Sequence, residues 1–236
     1  MKKKRIIIIG GTSGLGLATG KSLSKKGYEV IVAGRTEPKN RGSAIYKFID
    51  VTDEVSVKNF FNSKEIIAID GLIYSAGITA KKTPIIDFDV SSFKEVNDVN
   101  LVGALLCLKY SYNFLKESQA RVVIVNSLAA RTYSKFSGFE YTISKSGLSG
   151  MVKQLAMEWA NDGVLINSIF PSMINTPMLR ENLTQEDFAL ISESIPLKRV
   201  ASTEDIINSI EFLIGSKNTY ITGSGIDING GSYLAS

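Results

Sequence analysis

Short runs of aliphatic and β-branched residues alternate along the chain with longer segments that mix apolar and polar positions. The short runs are RIIII (5–9), EVIVA (29–33), IYKFID (45–50), GLIYS (71–75), RVVIVNS (121–127), VLINSIF (164–170) and GIDI (225–228). Between most of them lie helix-length stretches, at 14–26, 53–63, 89–117 and 141–161. Near-continuous apolar runs suit strands that are covered on both faces. Strands that alternate with helices imply right-handed crossovers and a parallel sheet. The pattern therefore predicts an α/β fold: a doubly wound parallel sheet of about seven strands with helices on both sides. The 236 residues suffice for one large α/β domain and are short for two, so 1–236 reads as a single domain. One connection breaks the alternation. Residues 34–44, GRTEPKNRGSA, hold Pro38 and two glycines and read as loop. The segment 177–199 follows a proline-rich turn and reads as a short helical lid over a substrate.

Charge and rare residues narrow the chemistry. The net charge of +4 is too diffuse to argue for nucleic acid. The dense run Lys2-Lys3-Lys4-Arg5 precedes only four isoleucines, too few for a signal peptide, and reads as a solvated N-terminus. No apolar stretch approaches the ~20 residues of a membrane span. The single cysteine, Cys107 in ALLCLKY, permits no intrachain disulfide and reads as a buried small hydrophobe. These features lead us to expect a cytoplasmic protein with no membrane partner. With no histidine, a Ser-His-Asp hydrolase, a histidine base and the usual zinc sites are excluded, and no metal is expected. Proton chemistry is left to Tyr, Lys, Asp, Glu or Cys.

The first strand runs into GGTSGLG, giving Gly10-x-x-x-Gly14-x-Gly16 at the start of a helix. Such a turn can present N–H groups and a helix dipole to an anion, and Thr12 and Ser13 add hydroxyls. It can equally be a tight corner with no ligand. Further along, YTISK sets Tyr141 and Lys145 four apart on one helix face. Ser127 ends the strand RVVIVNS, and Asn100 in VNLVG falls inside a long helix. YSAG ends the fourth strand, and FPSMINTPM follows the sixth. Taken singly, these are a surface pair, a strand-end serine and a helix asparagine.

Taken in this order, from Ile6 to Tyr233, the set resembles the short-chain dehydrogenase/reductase family in its compact single-domain subgroup. The C-terminal section PLKRVASTEDIINSIEFLIGSKNTYITGSGIDINGG is also similar, and within the family it resembles the 3-oxoacyl-carrier-protein reductase-like members. The resemblance implies a Rossmann-type fold and a catalytic set of Asn100, Ser127, Tyr141 and Lys145. Tyr141 would give and take the proton at a carbonyl or alcohol. An unperturbed tyrosine titrates near ~10, so Lys145 is expected to lower that value and to bind the nicotinamide ribose. Ser127 would hydrogen-bond the substrate oxygen, and Asn100 would hold a water linking Lys145 to solvent. By the same resemblance, Gly10, Thr12, Ser13, Gly14, Leu15 and Gly16 would line the pyrophosphate turn. Asp50 and Val51 would flank the adenine. Ala76 and Gly77 would line the cofactor, and Ile174 and Thr176 would meet the nicotinamide carboxamide. Three positions depart from the family pattern: Ile9 stands for a threonine, Ser75 for the asparagine of NAG, and Ser172 for a glycine.

The second strand ends in Gly34-Arg35 where an NAD enzyme usually carries an acid. Gly34 leaves room and Arg35 can pair with a 2′-phosphate, so NADP(H) is expected, with NAD(H) left open because Glu37 lies close by. The implied reaction is hydride transfer between NADP(H) and a carbonyl or secondary alcohol, whether a 3-oxoacyl thioester or another ketone. A sugar or polyol dehydrogenase and a non-catalytic dinucleotide-binding sensor stay as alternatives. Specificity would sit in the lid, with Met173, Met178, Leu179 and Phe188 apolar and Arg180 and Glu181 charged. Tyr133, Phe136 and Phe139 could wall an apolar substrate or pack the helix start. The family is often tetrameric, so a homodimer or homotetramer is expected, with 101–115 and 147–160, including Trp159, as candidate pairing helices.

Overall fold

Four consecutive isoleucines in β1 (Arg5–Ile9) require apolar cover on both sides, and the fold supplies it. The computed structural model describes residues 3–176, 179 and 184–234. After β1 come α1 (Gly14–Lys25), β2 (Glu29–Gly34), β3 (Ile45–Phe48), α2 (Glu54–Phe61) and β4 (Gly71–Tyr74). Next are α3 (Val90–Asn97), α4 (Gly103–Ser118), β5 (Arg121–Val125), α5 (Phe139–Trp159) and β6 (Leu165–Pro171). The chain closes with α6 (Gln185–Ser194), α7 (Thr203–Ile214) and β7 (Gly225–Ile228). All seven strands read from the sequence form, and the 34–44 connection carries no helix.

The strands make one seven-stranded sheet in the order β3-β2-β1-β4-β5-β6-β7. Every neighbour pair is parallel, with Ile8 opposite both Val32 and Ile73. Alternate residues of the central strands divide between two cores, as the two-residue side-chain period requires. Ile7, Ile9, Ile31, Leu72, Val122 and Ile124 join α2, α4 and α5 on one face. Ile6, Ile8, Val30, Val32, Ile73 and Val123 join α1 and α7 on the other. Trp159 lies in the first core, stacked 5.4 Å from Tyr112, so it is an intramolecular core residue. Cys107 is fully buried there too, and burial pushes its thiol up.

Helix starts follow local chemistry. Asp53 and Asp89 accept from first-turn N–H groups of α2 and α3. Ser202 with Asp205, and Thr184 with Asp187, form reciprocal capping boxes at α7 and α6. The 89–117 segment departs from the single helix expected. α3 ends at Asn97, a wide π-type turn spans Asp98–Val102, and α4 begins at Gly103. Within the expected lid, α6 forms and buries none of its side chains. Its stem is pinned where Asn175 N–H donates to Ala201 C=O at 2.8 Å. Pro177, Met178, Arg180 and Glu181 lie outside the described residues. No described helix is long and apolar enough to cross a membrane, and no described group of three His, Cys, Asp or Glu could hold a metal ion.

Winding reverses between β1 and β4, because β2 and β3 extend one way and β5 to β7 the other. A crevice opens there at the C-terminal ends of the strands.

The core makes a direct prediction. Ile210 of α7 is fully buried against the sheet. Ile210→Ala should lower unfolding stability by about 2–4 kcal/mol, read as a reduced urea midpoint at unchanged slope.

Candidate active site

The glycine turn lies at the mouth of this crevice. Gly10 has φ +76°, and a Cβ there would stand 2.4 Å from the Ala76 nitrogen across the switch point. At Gly16 a Cβ would stand 2.2 Å from the Gly10 carbonyl oxygen. Gly14, with φ +48°, faces open space. The turn is anchored by its main chain, with Gly10 N–H and Gly11 N–H both donating to Ala33 C=O at 2.9 and 3.1 Å. Ile9, which replaces a hydroxyl residue of the family pattern, is itself a core side chain. Ser13 precedes α1 without capping it through its side chain, so first-turn N–H groups are left facing the crevice. An open cradle with unpaired N–H groups fits a pyrophosphate. Leu15 buries its side chain among α1 and the sheet, which leaves only its main chain for a ligand. Thr12 packs against Gly34, where a Cβ would meet its hydroxyl at 2.6 Å.

Past β2 the crevice wall is polar. Thr52 donates to Asp50 Oδ1 through its N–H (3.0 Å) and its hydroxyl (2.7 Å). These bonds hold the Asp50 carboxyl below its ordinary range, with the charge of Arg35 acting the same way. Val51 is turned into the core. Glu37 is engaged by Arg41 at 2.9 Å, so its charge is partly neutralised beside Arg35.

The four catalytic candidates come together at the ends of β4 and β5. Ser127 sits just past β5, where its hydroxyl accepts from Ala129 N–H at 3.1 Å. Tyr141 and Lys145 occupy successive turns of α5. Tyr141 is hydrogen-bonded to Ser127, which favours the phenolate, but burial outweighs this and raises the phenol above its ordinary value. The expected lowering of Tyr141 by Lys145 is therefore not found. The Lys145 ammonium is held elsewhere, donating to Val125 C=O at 3.0 Å, and lies 5.6 Å from the centre of the phenol ring. Burial lowers Lys145 to about 8. Gly77 closes the far side, and a Cβ there would lie 3.4 Å from both the Lys145 ammonium and Asn100 Oδ1.

Asn100 is fully buried in the wide turn. Its Nδ2 donates to Ile78 C=O and to Ser144 Oγ, both at 3.0 Å, and its Oδ1 accepts from Ile78 N–H at 2.8 Å. Both amide hydrogens are thus spent on the protein, and only acceptor capacity is left for a water. Ser144 in turn donates to Tyr141 C=O at 2.8 Å, tying Asn100 to the tyrosine turn. Ser144, Ile78 and the Val125 carbonyl were not singled out in the sequence. Only Ser144 carried a signal, since it shares the helix face of Tyr141 at i+3. Ile174 is bridged to Ala201, and Thr176 N–H is turned back onto Ile174 C=O at 2.8 Å. Of the three aromatics before Tyr141, Phe139 packs on Phe88 at 5.4 Å, while Tyr133 and Phe136 are exposed.

Lys145 makes a signed prediction. Its value is about 8 in the fold against 10.5 for the free side chain. Between those values the unfolded chain binds more protons, so this group adds stability as pH rises through about 8 toward 10.5. Lys145→Met should remove that rise, worth on the order of 2 kcal/mol. Urea unfolding at pH 7 and pH 10 should show it as a wild-type gain that the variant lacks. At pH 7 the variant should be no less stable than wild type.

Comparison with known proteins agrees with this geometry. The family model described as enoyl-(acyl carrier protein) reductase matches residues 10–233. The 3-oxoacyl-[acyl-carrier-protein] reductase FabG of Buchnera aphidicola subsp. Schizaphis graminum is 30% identical, over 99% of this chain and 99% of that protein. Glucose 1-dehydrogenase of Gluconobacter oxydans is 28% identical, over 98% of this chain and 92% of that protein. The solved structure of ElxO with NADP bound is 25% identical, covers 98% of this chain and 99% of that one, and superposes with a TM-score of 0.90. Sheet order, glycine turn, buried lysine and family match converge: the chain belongs to the short-chain dehydrogenase/reductase family, oxidoreductases that act on alcohol and carbonyl groups.

Proposed function

We propose that the protein is an NADP(H)-dependent reductase of ketones, or dehydrogenase of the corresponding secondary alcohols. The observation that carries the reading is the convergence of Ser127 with Tyr141, and of Lys145 with Asn100 beside Gly77, at the same C-terminal end of the strands as the glycine cradle. Bound NADPH supplies the hydride. Ser127 and Tyr141 hold the substrate oxygen, and Tyr141 delivers the proton to it. Lys145 holds the ribose and keeps positive charge near the phenol as proton transfer proceeds. The acceptor capacity of Asn100 orients a water on the path from Lys145 to solvent.

Selectivity for the phosphorylated cofactor rests on Gly34, Arg35 and the Glu37–Arg41 pair. No acid occupies the end of β2. The nearby glutamate is already matched by a cation, so Arg35 is left to meet a 2′-phosphate. The walls of the mouth favour an apolar ketone or 3-oxoacyl thioester over a polyol. Ile85 and Ile86 on one loop, and Tyr133 and Phe136 on the other, are all more than half exposed. Exposed Leu105 on α4 and Ile143 on α5 support a homo-oligomer paired through these helices, as a dimer or tetramer.

NADPH oxidation against a panel of 3-oxoacyl thioesters, cyclic ketones, diketones and keto sugars tests the activity. Tyr141→Phe should lower kcat by about 10²–10⁴-fold with cofactor binding retained. Carbonyl turnover that survives in this variant would refute the assignment. Arg35→Ala should raise KM for NADPH by about tenfold and leave KM for NADH nearly unchanged. A wild-type preference for NADH would refute the cofactor assignment. Light scattering should report a dimer or tetramer at micromolar concentration, and a stable monomer would reject the pairing of α4 and α5.

A further inference from the structure

The wide turn Asp98–Val102 is the irregular step in the helical layer over β4 and β5, and it carries Asn100. A regular helix would leave Asn100 on a different azimuth, because a π-type step inserts one residue and rotates everything before it. Something must therefore favour the wide turn over the regular helix. Asn100's own bonds to Ile78 and Ser144 hold one side. The other side is held from the sheet.

Tyr74, the last residue of β4, is fully buried, and its hydroxyl donates to Val99 C=O at 2.5 Å. Burial raises its phenol well above the ordinary value, and neighbouring Cys107 acts in the same direction, so the group stays neutral and keeps the proton it donates. Gly103 follows the turn directly. A Cβ there would lie 2.8 Å from the Tyr74 hydroxyl and 2.9 Å from Val51 Cγ2. Phenol, turn and the core side chain of Val51 are thus packed too closely for one more carbon. Next to Tyr74, Ser75 stands where the family pattern has an asparagine, and its N–H bonds to Ile9 C=O at 2.8 Å.

We propose that Tyr74 is a positioning residue of this active site: its hydroxyl on Val99 C=O locks the wide turn that delivers Asn100 to Ile78 and Ser144 beside Lys145. The catalytic consequence rests on the reductase reading, whereas the structural one does not.

Tyr74→Phe keeps the buried ring and deletes only the hydroxyl. Hydrogen–deuterium exchange, resolved to peptides, reads the turn with no substrate present. Amides in 76–80 and 98–104 should exchange about tenfold faster than in wild type, with those of β1 and β6 unchanged. Unchanged protection in both segments would overturn the proposal. Uniform loss across the sheet would overturn it too, since that is global destabilisation rather than local release. In the ketone assay, kcat of Tyr74→Phe should fall about tenfold while KM for NADPH stays within about twofold. Wild-type kcat in Tyr74→Phe, alongside an inactive Tyr141→Phe, would remove the positioning role and leave the reductase reading intact. Full activity in Tyr141→Phe would remove the reductase reading, and exchange would still decide the role of Tyr74.

Discussion

The architecture depends on the reversal of winding between β1 and β4. A parallel strand cannot turn back on itself; it must pass through a crossover on one face of the sheet or the other. Once β2 and β3 lie to one side and β4 to β7 to the other, the loops leaving β1 and β4 diverge, and their first residues face each other across a gap. Gly10 and Ala76 approach closely across that gap, too closely for a side chain at Gly10. On one side of it the main chain of α1 offers N–H groups. On the other, Gly77 leaves space for a lysine and an asparagine.

The groups gathered there are costly to bury. Lys145 gives up solvent and donates to the Val125 carbonyl, and burial lowers it. Tyr141 is raised by the same burial. Around them the hydrogen bonds run in sequence: Asn100 to Ile78 and Ser144, Ser144 to the Tyr141 carbonyl, and Tyr74 to the Val99 carbonyl. Such a chain is rigid only if each link is made, which makes its least obvious members sensitive ones.

The departures from the family pattern are absorbed by main-chain bonds and by neighbours. Ile9 gives up a hydroxyl and adds a core side chain, while the turn it precedes is anchored through Ala33. Glu37, which read as an obstacle to a phosphate, has Arg41 as its counter-ion. That contact was not legible in the sequence, because it depends on how an irregular loop folds back.

The sequence by itself determined the sheet. Hydrophobic runs such as RIIII and RVVIV have one stable setting, covered on both faces, and their alternation with amphipathic segments leaves few topologies open. Through its resemblance to the family it also pointed to Tyr141, Lys145, Ser127 and Asn100, whose order along the chain carries that resemblance. Tertiary structure decided the rest. It broke the 89–117 helix at Asp98–Val102, turned Phe139 onto Phe88, and took Trp159 into the core. It also set the protonation balance of Tyr141 against the direction that helix spacing suggested. The reason is common to all four. Periodicity along a chain records which side of an element is apolar, but a hydrogen bond from Tyr74 to Val99, or the burial of a lysine beside Val125, exists only once distant segments have met.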